Sequence, residues 1–111
     1  MKFLVPFFLV LFGLSSCVND TTQAQLTCSA DNPVSWSRDV KVLFETKCAI
    51  TGCHPSNSSY QVSLETYEQV NANTIYIKPQ VVDRIMPRGT PLTDKELFLI
   101  TCWIDQGALQ N

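Results

Sequence analysis

Histidine is almost missing from this chain: among 111 residues only His54 carries an imidazole, and Met86 is the only methionine after the initiator. Chemistry that needs two histidines in one molecule is therefore excluded. No Ser/His/Asp pattern and no paired-carboxylate constellation supports a hydrolase. Basic residues are scarce as well, 8 Lys and Arg against 10 Asp and Glu, and they form no patch that would suit nucleic acid. Strand-length alternation of apolar and polar residues is absent except around residues 74–77, and no internal repeat is visible, so an all-α fold is the expectation. Nor does any apolar run reach the roughly 20 residues that cross a bilayer. The longest, residues 3–14, stops short of that and contains Pro6.

That short run has a different reading. Lys2 is the only charge ahead of it, and Ser15 and Ser16 follow before Cys17, so residues 1–16 are expected to be a secretory signal removed before the mature protein folds. Leu14-Ser15-Ser16-Cys17 resembles the bacterial lipoprotein processing box, in which the cysteine is acylated and becomes the mature N-terminus. Ordinary cleavage to a soluble protein is the alternative. The acylated product would be exported and anchored as a periplasm-facing or outer-membrane lipoprotein, held by about 0.8 kcal/mol for each methylene group buried in lipid. Loss of Lys2 leaves seven of the 8 basic side chains against 10 acidic ones, a mildly acidic mature chain.

Residues 18–33 are polar and aperiodic, with no means of building a core, and are expected to form a flexible tether from 17 to 33. The folded domain then spans 34–111. Ser37 is the expected N-cap of a first helix with Asp39 in its first turn, and Val40, Leu43 and Phe44 share the face opposite Lys41, Glu45 and Lys47. A loop with Gly52, Pro55, Asn57, Ser58 and Ser59 follows. A second helix is expected after Ser63, burying Leu64, Tyr67 and Val70 and ending near Asn73. Pro79 suits the first turn of a very short third helix with Val81, Val82 and Ile85 inward and Pro87 as its stop. The last helix has the clearest start: Thr93 and Glu96 as a capping box, Leu92 and Leu97 as a hydrophobic staple, then Ile100, Trp103 and Ile104, with Gly107 as its left-handed stop.

The chemistry-bearing segment is Cys48-Ala49-Ile50-Thr51-Gly52-Cys53-His54. Covalent haem attachment requires two thiols to form thioethers with the two vinyl groups, and a histidine beside the second thiol whose imidazole reaches the iron axially. The usual run is C-x-x-C-H; here four residues intervene, and Gly52 would help the longer loop fold back. Two other readings stay open. Cys48 and Cys53 would make a small disulfide loop beside a surface His54, giving a haem-free lipoprotein binding or scaffold module; or Cys48, Cys53, His54 and Cys102 would hold zinc, although structural zinc favours two close ligand pairs. With haem, Met86 is the natural second axial ligand, and Pro87 after it breaks the helix as a ligand loop requires. The competing role for Met86 is core filling, which would leave an open sixth position suited to a sensor or peroxidase. Cys28 and Cys102 are left to form a disulfide in an oxidising compartment, or to remain apart as a free thiol and a buried small apolar residue.

Residues 36–108 resemble the small c-type cytochrome domains often called planctomycete-type. Ser37-Arg38-Asp39-Val40 leading to Leu43 looks like the family's opening helix, Cys53-His54 its haem-binding end, and Met86-Pro87 its ligand loop. Pro91-Leu92-Thr93, followed by Trp103-Ile104-Asp105-Gln106-Gly107-Ala108, closely resembles its terminal helix and exit. The resemblance implies a cytochrome c-like fold of three to four short helices around one haem c, with first and last helices crossing so that Val40 and Phe44 meet Ile100 and Trp103. It implies a monomeric electron carrier, not an enzyme, which serves redox partner proteins and uses His54 and Met86 as iron ligands. Leu64, Tyr67, Ile75, Ile77, Val82 and Ile85 are the expected wrapping. The chain departs from the family in the Cys48 to Cys53 spacing and in Arg88, where a second proline is frequent.

Overall fold

Trp36 and the residues after it begin the ordered helices of the computed structural model, which describes residues 26–59 and 61–111. The expected signal segment, Cys17 and the first part of the tether lie outside the described residues. A π-helical turn, Trp36–Val40, runs directly into α1, Lys41–Lys47; α2 is Tyr67–Ala72, α3 Thr74–Val82 and α4 Asp94–Asp105. Among the described residues there are helices and no strand, so the domain is all-α.

The cap of the first segment is Ser35, not Ser37. Ser35 Oγ accepts from Arg38 N–H while the Ser35 N–H donates to Asp39 Oδ2 at 2.9 Å, and the Ser35 carbonyl accepts from both Asp39 and Val40. Starting two residues early makes Trp36 the first helical residue and buries it. Val40, Leu43 and Phe44 are then buried at helical spacing, as predicted.

The second helix starts at Tyr67 because Thr66 and Gln69 form a capping box, with Gln69 Oε1 accepting from the Thr66 N–H, the Glu65 N–H and the Ser63 hydroxyl. Leu64 is buried ahead of that helix. The expectation for residues 74–85 is corrected more deeply. Asn73 closes α2 and opens α3, its carbonyl accepting from Tyr76 and Ile77 at 2.9 Å each, so residues 74–77 are helical and Pro79 lies inside the helix. In this register Ile77 and Val81, four apart, face inward. Ile75, Val82 and Ile85, all expected in the wrapping, are exposed, Ile75 by 75 %.

The last helix begins as predicted, with both halves of the Thr93–Glu96 capping box present and Gly107 ending it at φ +99°. Its apolar side packs on the first segment: Trp36 and Trp103 ring centroids are 5.3 Å apart, and Tyr67 stands edge-on to both. Val40, Phe44, Ile100 and Trp103 share one buried cluster. The chain after α4 is pinned back: Trp103 Nε1 donates to the Leu109 carbonyl, the Tyr67 hydroxyl to the Ala108 carbonyl, and the Trp36 N–H to Asn111 Oδ1.

The later part of the expected tether is fastened to α4. Cys28 and Cys102 are disulfide-bonded across 74 residues, and Gln106 donates to the Ser29 carbonyl while accepting from the Val34 N–H. Closing so long a loop removes unfolded-chain entropy worth on the order of 4 kcal/mol.

An ion pair clasps α1 to the start of α4: Lys47 Nζ lies 2.7 Å from Glu96 Oε2, the same oxygen that accepts the Thr93 N–H. Lys47 first, and the Thr93 backbone next, hold the Glu96 carboxyl below its usual range. A lowered carboxylate pKa contributes stability above its unfolded value and loses it as pH falls through the folded one. Glu96→Gln is expected to lower stability by about 1 kcal/mol near neutral pH, since both side chains retain some solvent contact. Urea melts should show the difference from wild type shrinking below about pH 4.

Candidate functional site

The C-terminal end of α1 and the loop behind it form one wall of a cavity of about 500 Å³, within the roughly 300–1,000 Å³ of ordinary cofactor sites. The loop is closed by its own backbone. The Cys53 N–H donates to the Ile50 carbonyl at 2.9 Å, and the His54 N–H donates to the Cys48 carbonyl at 3.0 Å. Gly52 takes the left-handed conformation at φ +82° that this reversal needs. Cys48, Cys53 and His54 thereby line the same cavity despite the four-residue spacing.

Met86 and Pro87 line it as well, together with Phe44, Leu64, Ile77 and Val81. Met86 is brought there by the turn after α3, in which Ile85 and Met86 N–H groups both donate to the Gln80 carbonyl and Arg84 sits at φ +58°. The four residues picked out as haem ligands and attachment points are therefore gathered in one predominantly apolar pocket. Tyr67, expected in the wrapping, belongs instead to the Trp36–Trp103 cluster.

His54 is held by a second contact that the sequence did not disclose. Its Nδ1 lies 2.7 Å from the Val62 carbonyl oxygen, and a carbonyl can only accept, so Nδ1 carries a proton and in the neutral ring Nε2 keeps a free lone pair. That is the tautomer a metal-binding histidine requires, and an outer carbonyl partner also fixes the ring plane. The His54 carbonyl in turn accepts from the Leu64 N–H at 3.0 Å, so the strap 62–64 clamps the histidine from both its backbone and its ring.

Burial pushes the Cys48 thiol up to about 11, with the neighbouring Cys53 adding to the effect. Cys48 and Cys53 are both free thiols, and Cys102 is committed to Cys28, so it is not a fourth zinc ligand. Among the described residues no group of three or more His, Cys, Asp or Glu side chains is arranged to hold a metal ion unaided.

A raised thiol pKa contributes stability that is complete below its unfolded value and disappears as pH rises through the folded one. The protein with its thiols free is expected to lose on the order of 2 kcal/mol between about pH 9 and pH 11 relative to Cys48→Ala, measured by denaturant titration at each pH.

Several lining residues had a readable signal. Phe44 is four residues before Cys48 and so shares its helical face, while Tyr76 and Val81 follow once α3 is started at Thr74. The Val62 carbonyl had none, because any residue supplies one. Comparison of the chain with protein-family models, with curated proteins and with solved structures found no match.

Proposed function

We propose that the chain is a c-type cytochrome, a one-electron carrier whose single haem is attached through Cys48 and Cys53 and ligated by His54 and Met86, on an exported lipoprotein anchored at Cys17. The observation that carries this reading is the convergence of those four residues on one apolar cavity, with the His54 ring held through Nδ1 by the Val62 carbonyl.

The cavity suits the group by its chemistry. Its apolar lining includes Phe44, Leu64, Ile77 and Val81, and among the described residues no Asp or Glu lines it, although acidic side chains outnumber basic ones in the chain; the Lys and Arg residues lining it are Lys47 and Arg88. Such a site favours a large apolar ligand bearing negative charge, which describes a porphyrin with its carboxylates. The bound haem would supply the reversible Fe(III)/Fe(II) couple. The Val62 carbonyl orients the His54 ring and strengthens it as a donor. A thioether from Met86 opposite would raise the potential relative to a second nitrogen. The apolar side chains exclude water and thereby disfavour the more highly charged iron state.

The test is expression of the full chain in a host competent in cytochrome maturation. A red protein is expected, with haem retained after denaturation and a mass increased by one haem. Met86→Ala should keep the colour and the mass but open the iron to carbon monoxide and lower the midpoint potential. A colourless wild type would overturn the reading in favour of the haem-free scaffold module.

A further inference from the structure

Two cations stand on the rim of the cavity and only one of them is engaged. Lys47 is held by Glu96 at 2.7 Å. Arg88 lines the same cavity two residues beyond Met86 and enters no ion pair or side-chain hydrogen bond among the described residues, unlike Arg38 and Arg84, which pair with Asp39 and Asp94. Among the described residues no carboxylate lines the pocket to neutralise it. A guanidinium so placed is a planar fork of donors with nothing from the protein to receive them, and its natural partner is a carboxylate arriving with the ligand.

We propose that Arg88 is the anchoring residue for a carboxylate of the bound haem and that, through this pair, it raises the reduction potential of the iron. The assignment rests on the haem reading above and deepens it by naming the residue that receives the acidic edge of the ligand. Arg88 is one of the two places where this chain departs from the small c-type cytochromes it resembles, the other being the Cys48 to Cys53 spacing. A proline there would supply neither charge nor donor. The effect on potential follows from charge: with Arg88 in place the carboxylate is neutralised near the iron, and without it an unbalanced negative charge favours the ferric state.

The experiment is a redox titration of the haem-loaded full chain beside R88Q and R88K, followed through the visible spectrum. Arg88 is exposed, and covalent attachment through Cys48 and Cys53 does not depend on it, so both variants are expected to fold and to retain haem. R88Q should shift the Fe(III)/Fe(II) ratio at a given poise about three- to tenfold toward ferric, tenfold being 59 mV for one electron. R88K should restore most of that shift. The potential of R88Q should also climb as pH is lowered and the freed carboxylate protonates, over a range in which the wild type stays flat. A red R88Q protein with wild-type potential and pH profile would overturn the assignment and leave the haem reading standing. A wild type without haem would overturn both.

Discussion

With Cys48 and Cys53 both replaced by alanine, the protein recovered from a cytochrome-maturing host is expected to be colourless and measurably less helical than the wild type. On the proposed attachment, the loss of colour follows from removal of both thiols that would carry the haem. The loss of helix follows from size. The described domain must be stabilised by fewer than 90 residues, near the limit at which a hydrophobic core barely offsets chain entropy. Its core divides unequally. The Trp36–Phe44–Trp103 side is packed ring on ring, whereas Leu64, Ile77 and Val81 abut a cavity of about 500 Å³ that protein atoms do not fill. A porphyrin in that space would complete the burial of α3 and of the strap 62–64. Far-ultraviolet circular dichroism and a thermal melt check the prediction, and the single variants should each keep haem by the remaining thioether. Unchanged colour in the double variant would remove the attachment argument at its root.

Trp103→Ala is expected to cost about 3–5 kcal/mol, enough to leave much of the population unfolded at ambient temperature. Trp103 is only 1 % exposed, its ring meets Trp36 and Tyr67, and its Nε1 donates to the Leu109 carbonyl at 2.9 Å. Its removal therefore creates a cavity and also frees the segment 108–111, whose contacts hold Ser35, Trp36 and Tyr67. Trp103→Phe should recover more than half the loss, because a smaller ring fills most of the space but leaves the Leu109 carbonyl without its donor. Chemical denaturation monitored by the remaining tryptophan distinguishes the variants.

The elements legible in the sequence are those whose signals are local. Thr93 and Glu96 mark the start of α4 because the capping box closes within one turn, and Gly107 marks its end because few residues tolerate its backbone conformation. The same signal at Thr66 and Gln69 was equally readable and outranks the start expected after Ser63. Where two local signals competed, tertiary burial chose between them. Ser35 and Ser37 are both acceptable caps, and the need to place Trp36 against Trp103 selects the first. Pro79 alone suggested a helix start, but the neighbouring α2 ends so that Asn73 can begin α3 five residues earlier, turning Ile75 and Val82 outward.

The sequence by itself determined the helical class, the apolar faces of α1 and α4, and the short list of candidate cofactor-holding side chains, because periodicity, caps and a lone histidine or methionine are properties of residue type and spacing. Only the tertiary structure decided that Cys48, Cys53, His54 and Met86 share one cavity, that the Val62 carbonyl meets His54 Nδ1, and that Arg88 stands there without a partner among the described residues. Those are relations between separate segments of the chain. They arise only when burial of the Trp36–Trp103 core brings α1, the strap 62–64 and the turn after α3 together.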